Sequence, residues 1–319
     1  MAEIGFDISK AISFLQNGDI IGLPTETVYG LAANATNATA VAKVFEVKNR
    51  PSFDPLIVHS NSLEKLNPFI SDIPEAALQL ARNFWPGPLT LVLPKSDSIP
   101  DLVTSGLNTV AIRVPDHKSA LELLERIDFP IAAPSANPFG YVSPTSAQHV
   151  QDQLGAKISY ILDGGLCKVG LESTIVGFHG NIPTIYRLGG ISQEEIEATI
   201  GTVEVKVNQA SNPRAPGMLQ SHYSPQIPLI IGDFDELTMK YHSKKIGLLS
   251  LSRELNHPAV THQIQLSHKG DLVEAASNLF SALRKFKATD VELIIAERMP
   301  DKGLGRAIND RLERASFKN

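Results

Sequence analysis

The sequence predicts an α/β protein with two domains joined by a linker. Over residues 1–207, short apolar runs typical of buried strands alternate with amphipathic helical segments. Residues 208–228 are rich in Pro, Ser and Asn and have little apolar periodicity, as a connector does. The alternation restarts over residues 229–319, which predicts a smaller Rossmann-like α/β domain.

The composition is that of a globular protein with a slight acidic excess. The 319 residues include 34 Asp and Glu against 29 Lys and Arg, which gives a formal net charge of −5. This balance argues against broad electrostatic binding of nucleic acid, while a local basic patch could still make weak contact with nucleic acid. The single cysteine, Cys167, cannot form an internal disulfide, and we interpret it as a packed thiol.

Targeting and metal signals are absent from the sequence. The N-terminal segment carries acidic residues and lacks the basic start and apolar core of a signal peptide. No apolar stretch reaches the length of a membrane span, and no Cys and His cluster has the spacing of metal ligands. We therefore expect a cytoplasmic protein without membrane contact and without a tightly bound metal.

The first elements lead to a polar stretch. A helix is expected after Asp7, which can cap it. The apolar run 20–23 is stopped by a proline, so Thr27 follows the carboxyl end of a strand, where open α/β sheets bind ligands. Asn37 can cap the next helix, and a further short strand ends at His59.

Lys48 and Arg50 follow the end of that second helix, on the side of the predicted strand ends. Two cations beside hydroxyl groups suit a phosphate or carboxylate ligand, because arginine offers a planar fork and lysine a mobile point charge. The alternative is that both are solvated residues at a helix C-terminus, where the helix dipole favours cations. The spacing alone does not decide between the two.

Two later segments also combine a strand with polar side chains. Arg113 interrupts the apolar strand 109–114, so it must either form a structural ion pair or act as a fork for a substrate carboxylate. After the strand 130–133, prolines flank Ser135 and Asn137, which form either an ordinary turn or a set of fixed hydrogen-bonding groups for a ligand.

The remaining elements follow the same rules. We expect a helix from Ser143 to residue 154, strands over 160–162, 171–176 and 184–188, and a helix with a capping box at Ser192. In the second domain we expect strands at 229–231, 246–251, 263–266 and 291–296, and helices at 271–287 and 304–315. No Gly-x-Gly-x-x-Gly follows the first of these strands, so no dinucleotide is assigned to this domain.

Five segments resemble the YrdC/Sua5 family: PTETVYGL, KNRP with PL-x2-H, FWPGPLTLVL, APSAN and GLESTIV. The linker and C-terminal segment resemble the two-domain members of that family, so the similarity covers essentially the whole chain. The resemblance implies a YrdC-like twisted mixed sheet with helices, a catalytic domain over 1–207 and a linker that crosses the active site. It also implies an enzyme that joins L-threonine, bicarbonate and ATP into threonylcarbamoyl-AMP and supplies the tRNA threonylcarbamoyltransferase machinery.

The resemblance carries roles onto matching positions. The active-site signature falls on Lys48, Arg50, Ser135 and Asn137. The residues implied for threonine are Thr27, His59, Arg113, Ala133 and Ser173. Those implied for ATP, which would bring Mg2+ with it, are Arg50, Asp54, Thr109, Ser135, Ser143, Arg187 and Tyr223.

Three alternative functions would require other properties of the protein. A non-enzymatic RNA-binding protein would bind tRNA tightly and with strong salt dependence. A carbamoyl-adenylate enzyme of the hydrogenase-maturation type would carry Cys-rich zinc motifs, which one cysteine excludes. A regulator with vestigial catalysis is disfavoured by the intact motifs.

Overall fold

The computed structural model describes residues 1–180, 182–207, 216 and 222–316. Within the described residues up to 207, eleven short strands form one mixed sheet. They are β1 (Glu3–Gly5), β2 (Ile21–Leu23), β3 (Gly30–Asn34), β4 (Ile57–His59), β5 (Leu89–Pro94), β6 (Thr109–Arg113), β7 (Ile131–Ala132), β8 (Tyr160–Leu162), β9 (Thr174–His179), β10 (Ile182–Arg187) and β11 (Glu204–Val205).

The sheet order is β1-β8-β2-β3-β7-β4-β6-β5-β9-β10-β11, with parallel and antiparallel pairs intermixed. The central strands β4 and β6 are parallel, and their register pairs His59 with Arg113. On the far side of β4, the antiparallel β7 pairs Ala132 with Val58, which brings the turn after β7 beside the same strands. The sheet therefore collects side chains that are far apart in sequence.

Eight α-helices of this domain surround the sheet in the described residues. They are α1 (Ile8–Gln16), α2 (Ala38–Lys48), α3 (Leu63–Leu66), α4 (Glu75–Phe84), α5 (Asp101–Thr104), α6 (Lys118–Glu125), α7 (Ala147–Leu154) and α8 (Gln193–Ile200), with a 3-10 turn at Asn67–Phe69. Asp7 and Asn37 cap α1 and α2 as predicted, and Ser192 with Glu195 forms the predicted capping box of α8.

The C-terminal part contains a four-stranded sheet. Its elements are β12 (Leu229–Ile231), α9 (Phe234–Lys240), β13 (Ile246–Ser250), β14 (Val260–Gln265), α10 (Leu272–Phe286), β15 (Leu293–Ala296) and α11 (Leu304–Ser316). The order β12-β15-β13-β14 is parallel throughout, and α10 and α11 bury their apolar faces in its main core. This is the small α/β layer that the alternating pattern predicts.

Some details differ from the sequence expectations. Helix α7 begins at Ala147 with Ser146 as its cap, so Ser143 is not a helix cap. Helix α9, capped by Asp233, was not predicted. Most of the predicted linker, residues 208–215 and 217–221, lies outside the described residues.

Candidate active site

A cleft opens where the ends of β4 and β6 meet the turn after β7 and the described linker residues. Pro216, His222 and Tyr223 form one of its walls. Ten of the fourteen predicted site residues line this cleft. They are Thr27, Arg50, Asp54, His59, Arg113, Ala133, Ser135, Ser173, Arg187 and Tyr223.

Arg113 lines the cleft and is 3% exposed. Its Nη2 is 2.5 Å from Glu26 Oε1, its Nη1 donates to Thr27 Oγ1 at 2.9 Å, and its Nε donates to the Gly87 carbonyl at 3.2 Å. The structural ion pair is therefore present. A guanidinium has five N–H groups, so these three contacts leave two donors for a ligand in the cleft.

His59 lies beside Arg113 and is 3% exposed, with Nδ1 3.1 Å from the Ile57 carbonyl oxygen. Burial, and secondarily the charge of Arg113, lower the pKa of His59 to about 3. The imidazole is therefore neutral at physiological pH. Such a weakly basic ring can bind a ligand by a hydrogen bond but is a poor general base.

Ser173 lines the cleft and contacts Thr90 and Arg187. Its hydroxyl is 2.7 Å from Thr90 Oγ1 and accepts from Arg187 Nη2 at 2.9 Å, while the Ser173 carbonyl accepts from Arg187 Nε at 3.0 Å. Burial lowers the pKa of Arg187 to about 10, so this guanidinium still carries its charge at neutral pH. Arg187 and Ser173 thus form one rigid polar unit.

Arg50 is held just beyond α2 by its own loop. Its Nη2 is 2.9 Å from Asp54 Oδ2, and its side chain donates to the carbonyls of Asp54 and Pro55 at 3.0 and 2.8 Å. The Arg50 side chain is 6% exposed. The interpretation of Arg50 as a solvated residue is therefore wrong, because it is a buried cation that lines the cleft.

Lys48 is 1% exposed, which contradicts its interpretation as a solvated residue, and it does not line the cleft. Its Nζ lies 2.5 Å from the carbonyl oxygens of both Ser135 and Asn137, so it braces the turn after β7. Its predicted phosphate contact stays a prediction. Burial, and then the charge of Arg50, lower the pKa of Lys48 well below its usual value.

Three other predicted residues do not line the cleft. Asn137 closes its turn by donating to the carbonyls of Pro138 and Tyr141. Ser143 is fully buried and donates to Glu172 Oε1 at 2.6 Å. Thr109 begins β6, four residues or about 13 Å before Arg113 at a typical strand rise. The ATP contact expected from Thr109 stays a prediction.

Two residues at the cleft were not predicted from the sequence. Glu172 lines the cleft, and Arg311 of α11 is fully buried beside it, with Nε 3.0 Å from Glu172 Oε2. A signal was present. Arg311 lies three positions after Ile308 and one before Leu312, on the apolar face of a helix, where a charge requires a partner.

Tyr223 has a strained backbone, with φ of 66°, in the left-handed region that aromatic residues rarely adopt. Its ring lies 5.3 Å from the Phe280 ring and within 5.3 and 5.1 Å of the guanidinium carbons of Arg311 and Arg314. Strain of this kind, of order 1–3 kcal/mol, persists only where the surroundings hold the residue firmly. Tyr223 is thus fixed in the cleft by the C-terminal domain.

The described residues contain neither a membrane-spanning helix nor a cluster of metal ligands. No helix within the described ranges is both long and apolar enough to cross a bilayer. The same ranges contain no group of three His, Cys, Asp or Glu side chains arranged to hold a metal ion.

Comparison with known proteins gives a consistent result. Residues 13–189 match the Sua5/YciO/YrdC family model, described as "Telomere recombination", and residues 191–316 match the model of the threonylcarbamoyl-AMP synthase C-terminal domain. The threonylcarbamoyl-AMP synthase of Pyrococcus abyssi is 43% identical over 97% of this chain and 94% of its own. That of Bacillus subtilis is 42% identical over 97% and 92%.

A solved structure agrees over the whole fold. The crystal structure of P. abyssi Sua5 complexed with L-threonine superposes with a TM-score of 0.92 at 40% identity, covering 99% of this chain and 97% of that one. The fold and cleft are thus those of a two-domain α/β enzyme of the AMP-transferring class. The chain belongs to the Sua5/YrdC family, with the C-terminal domain of its two-domain members.

Proposed function

We propose that this chain synthesises L-threonylcarbamoyl-AMP from L-threonine, bicarbonate-derived CO2 and ATP and releases pyrophosphate. The product would serve the threonylcarbamoyl modification of adenosine 37 in tRNAs that read ANN codons. The observation that carries the proposal is that three buried arginines, Arg50, Arg113 and Arg187, line one cleft. Arg113 has donors left for a small carboxylate, which leaves Arg50 and Arg187 for the phosphates of a nucleotide.

The residues assigned to threonine match the chemical groups of that substrate. A bidentate pair with Arg113 would hold the amino-acid carboxylate, while Thr27, His59 and Ser173 would surround the rest of the substrate. The relative of known structure was solved with L-threonine, which supports this placement. Ala133 also lines the cleft, and its small side chain would suit a substrate side chain of the size of threonine.

The reaction needs positioning more than a special side chain. The threonine amine adds to CO2 and loses a proton to give a carbamate. A carbamate oxygen then bonds to the α-phosphorus of ATP as the bond from that phosphorus to the bridging oxygen of pyrophosphate breaks. Holding the two substrates in line and neutralising charge can supply most of the acceleration.

The other two arginines are assigned to the nucleotide. Arg50 and Arg187 would neutralise phosphate charge, Ser135 would donate a hydrogen bond, and Tyr223 would cover the nucleotide. Mg2+ would enter as part of MgATP, where it usually keeps several waters. His59 keeps a binding role, because its low pKa suits it poorly to proton transfer.

The linker wall has a protective role in this scheme. A mixed anhydride of a carbamate and AMP hydrolyses readily, so a cleft covered by Pro216, His222 and Tyr223 would limit its exposure to water. The adenylate would then pass to the enzyme that modifies tRNA.

The decisive experiment measures pyrophosphate release from MgATP and bicarbonate, with and without L-threonine, using L-serine as the control. We expect release that requires threonine and bicarbonate together and falls strongly with serine. Release indifferent to threonine, or no release, would refute the proposal. Carbamoyl phosphate as donor and salt-dependent tRNA binding would then be tested in its place.

A further inference from the structure

The C-terminal domain reaches the cleft through a buried arginine. Arg311 is 0% exposed, and its guanidinium contacts both domains. Within its own helix, Nη1 is 2.6 Å from Asp310 Oδ2. Across the interface, Nε donates to Glu172 Oε2 at 3.0 Å and Nη2 donates to the Leu188 carbonyl at 2.7 Å.

Glu172 continues this contact into the catalytic domain. It is 6% exposed and lines the cleft, and its second oxygen accepts from Ser143 Oγ at 2.6 Å. Burial raises the pKa of Glu172, but the charges of Arg311 and Arg187 outweigh that effect and hold the pKa below its usual value. The carboxylate is therefore an ionised link between Ser143 and Arg311.

The same arginine also supports Tyr223. Its guanidinium carbon is 5.3 Å from the Tyr223 ring centroid, beside contacts from Arg314 and Phe280. All three supporting residues come from α10 and α11, whereas Tyr223 itself lines the cleft. One side chain of the C-terminal domain thus holds two residues that line the cleft.

We propose that Arg311 is a positioning residue of the catalytic cleft, through which the C-terminal domain holds Glu172 and Tyr223 in the orientation that accepts ATP. The inference rests on the proposed function. Without Arg311, the buried Glu172 carboxylate has lost a charged partner and is drawn toward Arg187, while Tyr223 loses one side of its support. Within the described residues, Arg311 hydrogen-bonds to none of Thr27, His59, Arg113, Ala133 and Ser173, the residues assigned to threonine, so we expect the effect to fall mainly on ATP.

The test compares Arg311→Met and Arg311→Lys with the wild-type enzyme in the pyrophosphate assay. In Arg311→Met we expect KM for ATP to rise about tenfold or more, since a charge-assisted hydrogen bond is lost, and KM for threonine to stay within about twofold. Arg311→Lys keeps the charge but not the fork, so a smaller rise is expected. The matched control is Arg298→Ala. This change removes an exposed ion pair with Glu313, which lies in the same helix as Arg311, and should leave both KM values unchanged.

A second variant separates positioning from stability. Glu172→Gln removes the buried charge and is expected to raise KM for ATP on its own. The double variant, Glu172→Gln with Arg311→Met, should be less impaired than the two single effects combined, because the unpaired carboxylate is gone. A purely structural role predicts instead a lower thermal midpoint and less active enzyme with KM for ATP unchanged.

Each outcome decides the question. If Arg311→Met fails to fold, Arg311→Lys and Glu172→Gln carry the test. An unchanged KM for ATP in the folded variants, or an equal rise in KM for threonine, overturns the inference while leaving the proposed function intact. Absence of threonine-dependent release by the wild-type enzyme would refute the proposed function itself.

Discussion

Replacing Arg113 with alanine tests the assignment of this residue to threonine. The two N–H groups left free by Glu26, Thr27 and Gly87 are those available to a substrate carboxylate. Hydrogen bonds to charged groups are worth about 1.5–3 kcal/mol, which corresponds to a loss of about 10- to 150-fold. We therefore expect KM for threonine to rise by about that factor in threonine-dependent pyrophosphate release, with KM for ATP little changed.

The same variant should also lose stability, and this must be separated from the kinetic effect. Removing Arg113 leaves the Glu26 carboxylate buried without its partner, at a cost of about 3–5 kcal/mol. Adding Glu26→Gln neutralises that group, so the double variant should regain much of its resistance to urea without recovering threonine affinity. A wild-type KM for threonine in the folded double variant would refute the argument. Arg126→Ala, which removes an exposed ion pair, is the control.

Three further outcomes follow from burial. The pKa of His59 is about 3 in the folded protein, against a usual 6.5. As pH falls below 6.5, the unfolded chain binds a proton at this residue and the folded protein does not, so the free energy of unfolding decreases. In urea unfolding, that free energy should fall by about 2 kcal/mol more for wild type than for His59→Gln between neutral pH and about pH 5. Lys48→Met should cost about 1–3 kcal/mol in urea unfolding, because two buried carbonyls lose their donor, and equal stability would contradict that role. Burial raises the pKa of the Cys167 thiol, so Cys167→Ser should stay active and the native thiol should react with Ellman's reagent only after denaturation.

Local rules account for the part of the fold that the sequence predicts well. Asp7, Asn37 and Ser192 cap their helices because each needs only the backbone N–H groups two or three residues ahead. The strand that ends at His59 is likewise marked by its own apolar run and by the prolines that precede it. Such features are set within a few residues, so they can be read without knowing what packs against them.

Partners distant in sequence could not be predicted in the same way. The spacing brings Lys48 to the end of α2, but only the register of β7 places the carbonyls of Ser135 and Asn137 within its reach. Arg311 meets Glu172 across 139 positions of sequence. A buried charge in an apolar pattern announces that a partner exists, whereas its identity depends on tertiary packing.

Arginine side chains line the cleft where a ligand is expected, whereas the buried Lys48 holds a turn of the protein. Arg50 and Arg113 each hold a carboxylate of the protein, which offsets the cost of burying the guanidinium and fixes its plane. A planar fork can pair with a protein carboxylate through one edge and still present N–H groups along another. The ammonium of Lys48 has no such second edge, and its contacts with two carbonyls 2.5 Å away leave it directed into the turn. Exchanging Arg113 for lysine should therefore weaken threonine binding although the charge is kept, and a KM for threonine equal to that of wild type would show that charge alone is sufficient.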